Sequence, residues 1–249
     1  MNTCRKQIHR QKLRHSFSVQ GYQFKSDKQN SCRFCFFDQS LSSCYIRCMK
    51  NIPEARTLQE GFAWGTPFVI RSLNLPCNLN TCEARAQQKD MELFGYGKGG
   101  AELWMWASEA FQQFRKESLS MNIVDAPFPV LLDEELPEVL LKSVKKSRKK
   151  ICLTLTRNGS YTPLHVDPNH GGGWMYLQQG IKKWQLVDVD ANPLVADKAG
   201  NYTDPPLDLD APYLYEATIH PGDFLYFPPL TPHRVWTYAH SFGVSGYAK

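Results

Sequence analysis

A histidine and an aspartate separated by one residue, His165 and Asp167, are the first candidates for chemistry in this sequence. Residues two apart on a β-strand project from the same face, so this spacing brings an imidazole and a carboxylate together without a special turn. His233 follows the apolar stretch 224–227 through a proline-rich corner, and we predict that it supplies a third ligand. Two histidines and one carboxylate on one face of a metal ion leave three positions open for a cosubstrate and dioxygen.

A lysine on a nearby predicted strand adds context to these three residues. Alternation over residues 181–186 places Lys182 on the same face as Trp184 and Leu186. If that face is interior, the buried ammonium needs an anionic partner, because an unpaired buried charge costs several kcal/mol. The distal carboxylate of 2-oxoglutarate would serve, whereas a strand that faces the other way would make Lys182 a surface residue.

Two segments of the chain, residues 160–184 and 219–236, resemble the metal- and cosubstrate-binding signature of the JmjC oxygenases. In the first segment a threonine precedes the His-x-Asp pair by three residues, and a Gly-x-Lys follows on the next strand. The second has a Pro-Gly-Asp turn, an aromatic-apolar strand, a proline-rich corner and a histidine. With the predicted first strand at residues 67–70, the likeness covers roughly residues 60–249.

This resemblance implies a mostly β fold, a double-stranded β-helix of the jelly-roll or cupin type, with flanking helices N-terminal to the core. It further implies that His165, Asp167 and His233 hold Fe(II), while Thr162 and Lys182 bind 2-oxoglutarate as cosubstrate. Some members of the family carry a further cosubstrate-binding tyrosine near the position of Met175. The prediction therefore assigns that contact to the neighbouring Tyr176.

The activity that the resemblance implies is a 2-oxoglutarate-dependent dioxygenase that oxidises a C–H bond of a protein substrate. The outcome would be hydroxylation or, on an N-methyl-lysine, demethylation. Two alternatives stay open. One is a JmjC-like protein that binds partners without catalysis, and the other is a different cupin metal enzyme, such as an isomerase, which would give Lys182 no role.

The N-terminal segment, residues 1–58, differs in composition from the predicted catalytic domain at residues 59–249. Four cysteines in this segment, Cys32, Cys35, Cys44 and Cys48, have a spacing that a tetrahedral zinc site could use, and unligated thiols are the alternative. Residues 1–26 contain six Lys/Arg and no Asp/Glu, and they lack the apolar core of a secretory signal. An intracellular protein, nuclear or cytoplasmic, is expected, with organelle targeting as an alternative for this basic segment.

Charge also suggests partners. The basic N-terminal segment could contact nucleic acid, or it could be a solvated tail. A predicted connection over residues 188–215 carries six aspartates against one lysine, and we hypothesise that its negative field attracts a basic polypeptide substrate. A solvated acidic loop without a partner is the alternative. No apolar run approaches the roughly 18 residues that a membrane span requires.

Periodicity locates the elements that must position these residues. Apolar residues at spacings of three and four predict a helix over residues 101–117, formed by Leu103, Ala107, Ala110, Phe111 and Phe114. Acidic residues from Asp133 open a second predicted helix. Short β segments then follow at 151–156, 161–167, 174–187, 216–220, 224–227 and 234–238, and continue to about Tyr247.

Overall fold

The computed structural model describes residues 50–128, 130–131, 135–143, 151–167, 172–188 and 214–248. The candidate zinc ligands Cys32, Cys35, Cys44 and Cys48 lie outside these ranges, as do residues 189–213 of the acid-rich connection. Within the described ranges, no helix is both long and apolar enough to cross a membrane.

The described strands are rich in β-branched and aromatic residues, which suit a pleated and half-buried surface. In chain order they are β1 (Lys50–Asn51), β2 (Phe68–Ile70), β3 (Glu92–Tyr96), β4 (Glu102–Trp106), β5 (Ile123–Pro127), β6 (Ile151–Thr156), β7 (Tyr161–His165), β8 (Gly172–Gln179), β9 (Lys182–Val187), β10 (Leu214–Ile219), β11 (Phe224–Phe227), β12 (His233–Thr237) and β13 (Ser241–Ala248). The described α-helices are α1 (Leu58–Trp64), α2 (Leu79–Gln88), α3 (Ala107–Arg115) and α4 (Glu138–Ser143).

The strands form two main sheets, and the chain crosses between them several times. The major sheet has the order β2-β11-β8-β13-β6-β5, and the minor sheet has the order β1-β10-β9-β12-β7. From β6 to β13 the pairing within each sheet is antiparallel, and a hydrophobic cluster with members from both sheets lies between them. This topology confirms the predicted mostly β fold of the jelly-roll or cupin type.

Strand alternation divides the core into two layers. On β8, Trp174 and Tyr176 belong to the larger cluster, which also contains buried residues of the helices, while Met175 and Leu177 project between the sheets. Burial of each large apolar side chain of this kind contributes about 1.5–3 kcal/mol. The helices therefore cover the outer face of the major sheet and leave its inner face to line a cavity.

Among the strands before β6, β2 and β5 extend the major sheet, β1 extends the minor sheet, and β3 and β4 form a separate hairpin. Helix α1 begins after Thr57, whose side chain accepts a hydrogen bond from the Glu60 amide, and ends at Gly65 in a left-handed conformation with φ 66°. Strand β1 already pairs with β10, on the N-terminal side of the predicted boundary near residue 58. The 58/59 division itself stays a prediction, because the residues before Lys50 are not described.

The predicted helix over residues 101–117 is wrong in its first part. Residues Glu102–Trp106 are strand β4, which pairs with β3 in a hairpin, and the helix begins only at Ala107. Leu103 matched the helical spacing by coincidence, and it is exposed rather than part of the core. The cross-strand contacts of the hairpin override a periodicity that rested on one residue.

The later predictions need smaller corrections. The segment 174–187 is two strands joined at Gly180, which adopts φ 98°, so that β8 lies in the major sheet and β9 in the minor one. The second predicted helix is present as α4, which begins at Glu138, while residues 132–134 lie outside the described part.

Candidate metal centre

The predicted ligands meet at one end of the minor sheet. His165 is the last residue of β7, and Asp167 follows two residues later. His233 is the first residue of β12, and in the register of these two antiparallel strands it lies directly opposite His165. Residues opposite one another share a face of the sheet, so the pairing brings the third side chain to the other two.

The three side chains form a compact group. The distance from Asp167 Oδ1 is 3.5 Å to His165 Nε2 and 3.7 Å to His233 Nε2, and the two imidazole centroids are 4.2 Å apart. One nitrogen of each histidine and one carboxylate oxygen lie within 4.8 Å of one another. This spacing is compatible with a single metal ion bound to all three residues.

The backbone fixes which nitrogen each imidazole presents. His165 Nδ1 lies 2.9 Å from the carbonyl oxygen of Pro163, and His233 Nδ1 lies 3.0 Å from that of Thr231. Because a carbonyl oxygen only accepts, each Nδ1 carries the proton and donates it, which leaves the lone pair of Nε2 for a metal. Hydrogen bonds of this kind orient metal-binding histidines in general.

Electrostatics keep the group in a ligand-competent state. Burial lowers the pKa of His233 to about 4, so this imidazole is neutral at physiological pH. Burial alone would raise the pKa of Asp167, but its hydrogen bond with His165 and its electrostatic interactions with both imidazoles outweigh that effect and lower it. Burial also opposes protonation of His165, yet Asp167 and the Pro163 carbonyl raise its pKa above the usual value. A metal would displace that proton, as coordination requires.

Lys182 lines the same cavity as the three ligands and is only 4% exposed. Its Nζ donates hydrogen bonds to Thr156 Oγ1 at 2.9 Å and to Thr237 Oγ1 at 3.0 Å. Across the described ranges, no carboxylate oxygen approaches this ammonium to ion-pair distance. Burial lowers the pKa of Lys182 to about 7, while the charge of Asp125 acts in the opposite direction. The cavity therefore contains a buried cation that a bound anion would stabilise.

Asp125 is a cavity residue that sequence reasoning missed. It lies on β5, where the register with β6 shifts between Ile123 and Ala126, and its φ is 53°. A register shift of this kind re-aims a side chain, and here Asp125 lines the cavity and accepts a hydrogen bond of 2.6 Å from Ser245 Oγ. Burial and the charge of Asp167 raise its pKa to about 6. The sequence analysis did not predict strand β5, and a single aspartate outside any motif gives no sign that it faces a cavity.

Of the other two residues predicted to bind the cosubstrate, only one lies in the cavity. Thr162 lines the cavity, whereas Tyr176 does not. Tyr176 belongs to the outer hydrophobic cluster, because alternation on β8 places it on the face opposite Met175, which does line the cavity. The prediction that Tyr176 binds the cosubstrate is therefore wrong.

Aromatic residues close the cavity around His233. The ring of Trp184 stacks on its imidazole at a centroid distance of 5.5 Å, and the ring of Phe227 lies at 4.5 Å. Both aromatic residues line the cavity and are buried. This apolar wall explains the low pKa of His233 and restricts the access of water to the metal position.

Gly173 provides the space that Asp167 needs. A Cβ at this position would lie 3.1 Å from Asp167 Oδ2 and would overlap the ring of Phe227. We expect Gly173→Ala to weaken metal binding about tenfold and to destabilise the fold by about 1–3 kcal/mol, because overpacking moves these neighbours. Titration with Mn(II) and thermal unfolding measure the two effects.

Gly65→Ala is the matched control for that variant. Gly65 has a positive φ, no atom near the position of a Cβ and no place in the cavity lining, so the change strains the backbone outside the metal centre. It should lower the melting temperature and leave the affinity for Mn(II) unchanged. Equal metal affinities for the Gly173→Ala variant and the wild type would refute the proposed role of Gly173.

Two imidazoles and one carboxylate on the inner wall of a double-stranded β-helix define a cupin-type domain with a candidate metal centre. Residues 128–248 match the family model of the JmjC domain, so the chain carries a JmjC domain of the cupin superfamily. The match includes all three candidate ligands and Lys182 and begins after Asp125. Among curated proteins, none matches the sequence of this chain.

Proposed function

We propose that this chain is an Fe(II)- and 2-oxoglutarate-dependent oxygenase that oxidises a C–H bond of a protein substrate. The observation that carries the proposal is the buried ammonium of Lys182 in the same cavity as His165, Asp167 and His233. A structural metal site does not require a buried cation beside the metal. A dicarboxylate cosubstrate requires both groups, because one end binds the metal and the distal carboxylate pairs with the cation. The JmjC domain supports the coarser class, a cupin-type oxygenase.

The donor set fits iron. Two neutral imidazoles and one carboxylate form the facial arrangement that non-haem Fe(II) oxygenases use, with further positions open. When bound, Fe(II) would supply the redox chemistry that couples 2-oxoglutarate and dioxygen to substrate oxidation. His165, Asp167 and His233 would hold it, and the carbonyl oxygens of Pro163 and Thr231 would keep both imidazoles in the required tautomer.

The residues of the chain would bind and orient the cosubstrate. In this proposal Lys182 pairs with the distal carboxylate of 2-oxoglutarate, and the hydroxyls of Thr156 and Thr237 hold the ammonium in place. Thr162 lies on β7, two residues before the buried Leu164, and its hydroxyl would donate a further hydrogen bond to 2-oxoglutarate. A charge-assisted contact with a buried ammonium gives both affinity and orientation.

The substrate class is also a proposal. A basic polypeptide suits the aspartates of the connection after β9, although residues 189–213 lie outside the described part. Hydroxylation and N-methyl demethylation share the same oxidation step and differ in whether the oxidised carbon is attached to nitrogen. Nucleic acid stays a proposed partner of the basic N-terminal segment.

Conversion of 2-oxoglutarate to succinate tests the proposal. The full chain is incubated with Fe(II), ascorbate, 2-oxoglutarate and oxygen, and succinate is measured by mass spectrometry. Succinate formation that stops when iron or oxygen is withheld supports the oxygenase. A chain that binds Mn(II) but neither binds nor consumes 2-oxoglutarate would refute it and favour a different cupin enzyme, while a chain that binds no metal would favour a non-catalytic binding protein.

Affinity for 2-oxoglutarate should fall as the pH rises above about 7. Unliganded Lys182 has a pKa near 7, and a bound carboxylate raises it, so at higher pH binding must take up a proton. The dissociation constant should then increase by up to about tenfold per pH unit. Calorimetry with Mn(II) in buffers of different ionisation enthalpy measures both the affinity and the number of protons taken up.

Two variants separate the groups that face this position. Lys182→Arg keeps its charge at every pH in this range and should flatten the dependence above pH 7. Asp125 has a pKa near 6 and also gains a proton when an anion approaches, so Asp125→Asn should remove the part of the dependence that begins near pH 6. A pH profile that is the same in the Lys182→Arg variant and the wild type would contradict the role of Lys182.

A further inference from the structure

One face of the β3–β4 hairpin carries four aromatic residues between two glutamates. In the register of the hairpin, Glu92 lies opposite Trp106, Phe94 opposite Trp104, and Tyr96 opposite Glu102. Cross-strand partners and residues two apart share a face, so all six side chains project from the same side. We call this surface the aromatic face; its members are Glu92, Phe94, Tyr96, Glu102, Trp104 and Trp106.

The aromatic face is open to solvent. Trp104 is 65% exposed, Trp106 51% and Tyr96 45%, and both glutamates are exposed. The ring of Phe94 contacts those of Tyr96 and Trp104 at centroid distances of 5.0 and 5.2 Å, with interplanar angles of 79° and 60°. Exposed aromatic side chains that contact one another form a continuous patch, and such patches mark interaction sites.

The opposite face of the hairpin explains why these rings point outward. Leu93 and Met105 are buried in the outer hydrophobic cluster, and a Cβ on Gly95 would overlap the Asn122 carbonyl. The buried face with Leu93 and Met105 therefore fixes the hairpin without help from the aromatic side chains. Burial on folding does not account for the aromatic face.

The aromatic face lies on the side of the sheet that lines the metal cavity. The amide and carbonyl of Tyr96 form two hydrogen bonds of 2.8 Å with those of Asn122, so these residues share a face. The next residue, Ile123, is buried in the outer cluster, which places Asn122 and Tyr96 on the inner side, with Thr154 of β6. The hairpin thus continues the cavity-lining surface beyond β5, which is the strand that carries Asp125.

We propose that the aromatic face binds a lysine- and arginine-rich polypeptide segment next to the residue that is oxidised. The negative ring faces attract ammonium and guanidinium groups, and Glu92 and Glu102 provide a carboxylate at either end. Neither glutamate has a hydrogen bond or ion pair with another described residue, so both are available to a partner. The same two carboxylates would repel nucleic acid or an anionic lipid surface. That this segment flanks an oxidised residue rests on the proposed function, whereas the binding site itself does not.

The charge and the rings can be tested separately on the full chain. The probe is a fluorescein-labelled peptide of alternating Lys, Arg and Gly, and binding is followed by fluorescence anisotropy with no iron present. Cation–π contacts at exposed sites are worth about 0.5–1 kcal/mol, so the double variant Tyr96→Ala/Trp104→Ala should bind about 5- to 30-fold more weakly. Trp104→Phe retains a ring and should restore part of the loss.

The double variant Glu92→Gln/Glu102→Gln should lose about three- to tenfold in affinity and most of the salt dependence, because surface charge contacts are screened. Matched controls lie outside the aromatic face: Tyr238→Ala removes another exposed ring, and Glu109→Gln removes another exposed carboxylate. Both controls should bind the peptide as the wild type does, and all variants should keep the wild-type melting temperature within a few degrees.

The possible outcomes discriminate among occupants. Unchanged peptide affinity in both double variants, or no binding by the wild type, overturns the proposal. Tighter binding of an oligonucleotide or of anionic vesicles than of the peptide, lost in the aromatic variant, assigns the face to those partners and also overturns it. A wild-type dimer that becomes a monomer with Trp104→Ala assigns the face to a second copy. Since peptide binding is measured without iron, a failed succinate assay would refute the oxygenase and leave this result standing.

Discussion

Replacement of Asp167 by alanine is expected to abolish succinate formation and to weaken Mn(II) binding by at least about a hundredfold. Asp167 is the only carboxylate of the metal-ligand group found among the described residues, and it lies within 3.7 Å of both imidazoles. Two histidines alone give an incomplete ligand set with no negative charge to offset a divalent ion. We expect turnover to fall by at least about a thousandfold, since no other carboxylate of the described residues belongs to the metal-ligand group.

Asp90→Asn is the matched control, because this exposed aspartate accepts hydrogen bonds from Ser108 and does not line the cavity. It should keep both metal affinity and turnover. Thermal unfolding of metal-free protein shows whether Asp167→Ala folds, and the conservative Asp167→Asn variant provides a second version of the test. Wild-type Mn(II) affinity in a folded Asp167 variant would contradict the assigned metal centre.

Replacement of Lys182 by methionine should abolish 2-oxoglutarate binding and at the same time stabilise the unliganded protein. The ammonium is buried, its pKa is lowered to about 7, and its described partners are two neutral hydroxyls. Methionine fills a similar volume without that charge, so the free energy of unfolding should rise by about 1–3 kcal/mol near neutral pH. The gain should shrink at higher pH, because the wild-type lysine loses its proton above pH 7 in the folded state but only near 10.5 when unfolded.

The neighbouring Lys183 provides a matched control. Its side chain projects from the other face of β9 and pairs with Glu216 at 2.9 Å. Lys183→Met should therefore leave the affinity for 2-oxoglutarate unchanged, whereas Lys182→Met should lower it at least about a hundredfold. Metal affinity should survive in both variants. A Lys182→Met variant that binds 2-oxoglutarate normally would remove the observation on which the proposed function rests.

Strand periodicity was a sound guide to the core of this protein. Strands β6 and β11 have the predicted bounds, and the alternation around Lys182 correctly predicted a buried lysine. Both results depend on local chemistry, because side chains on a strand alternate between faces whatever the rest of the fold does. Alternation places Gln185 on the opposite face of β9, but that face is also covered: Gln185 is buried, donates a hydrogen bond to Glu216 and accepts one from Arg234.

Predictions that depended on a single residue failed. Leu103 extended a helix into what is strand β4, and Tyr176 was assigned to the cavity only because it follows Met175. In both cases, contacts with distant residues decide the outcome. The zinc site at Cys32, Cys35, Cys44 and Cys48, the basic partner and the cellular location stay predictions.

The sequence by itself determined the candidate ligand types and their His-x-Asp spacing. It also determined that Lys182 shares a face with Trp184 and Leu186, because side chains alternate along a single strand. Only the tertiary structure decided that His233 lies opposite His165, that a register shift brings Asp125 into the cavity, and that the β3–β4 hairpin continues the cavity face. Each of these depends on pairing between strands that are far apart in the chain, and the free energy that selects such pairings comes from packing of the whole domain rather than from any local pattern.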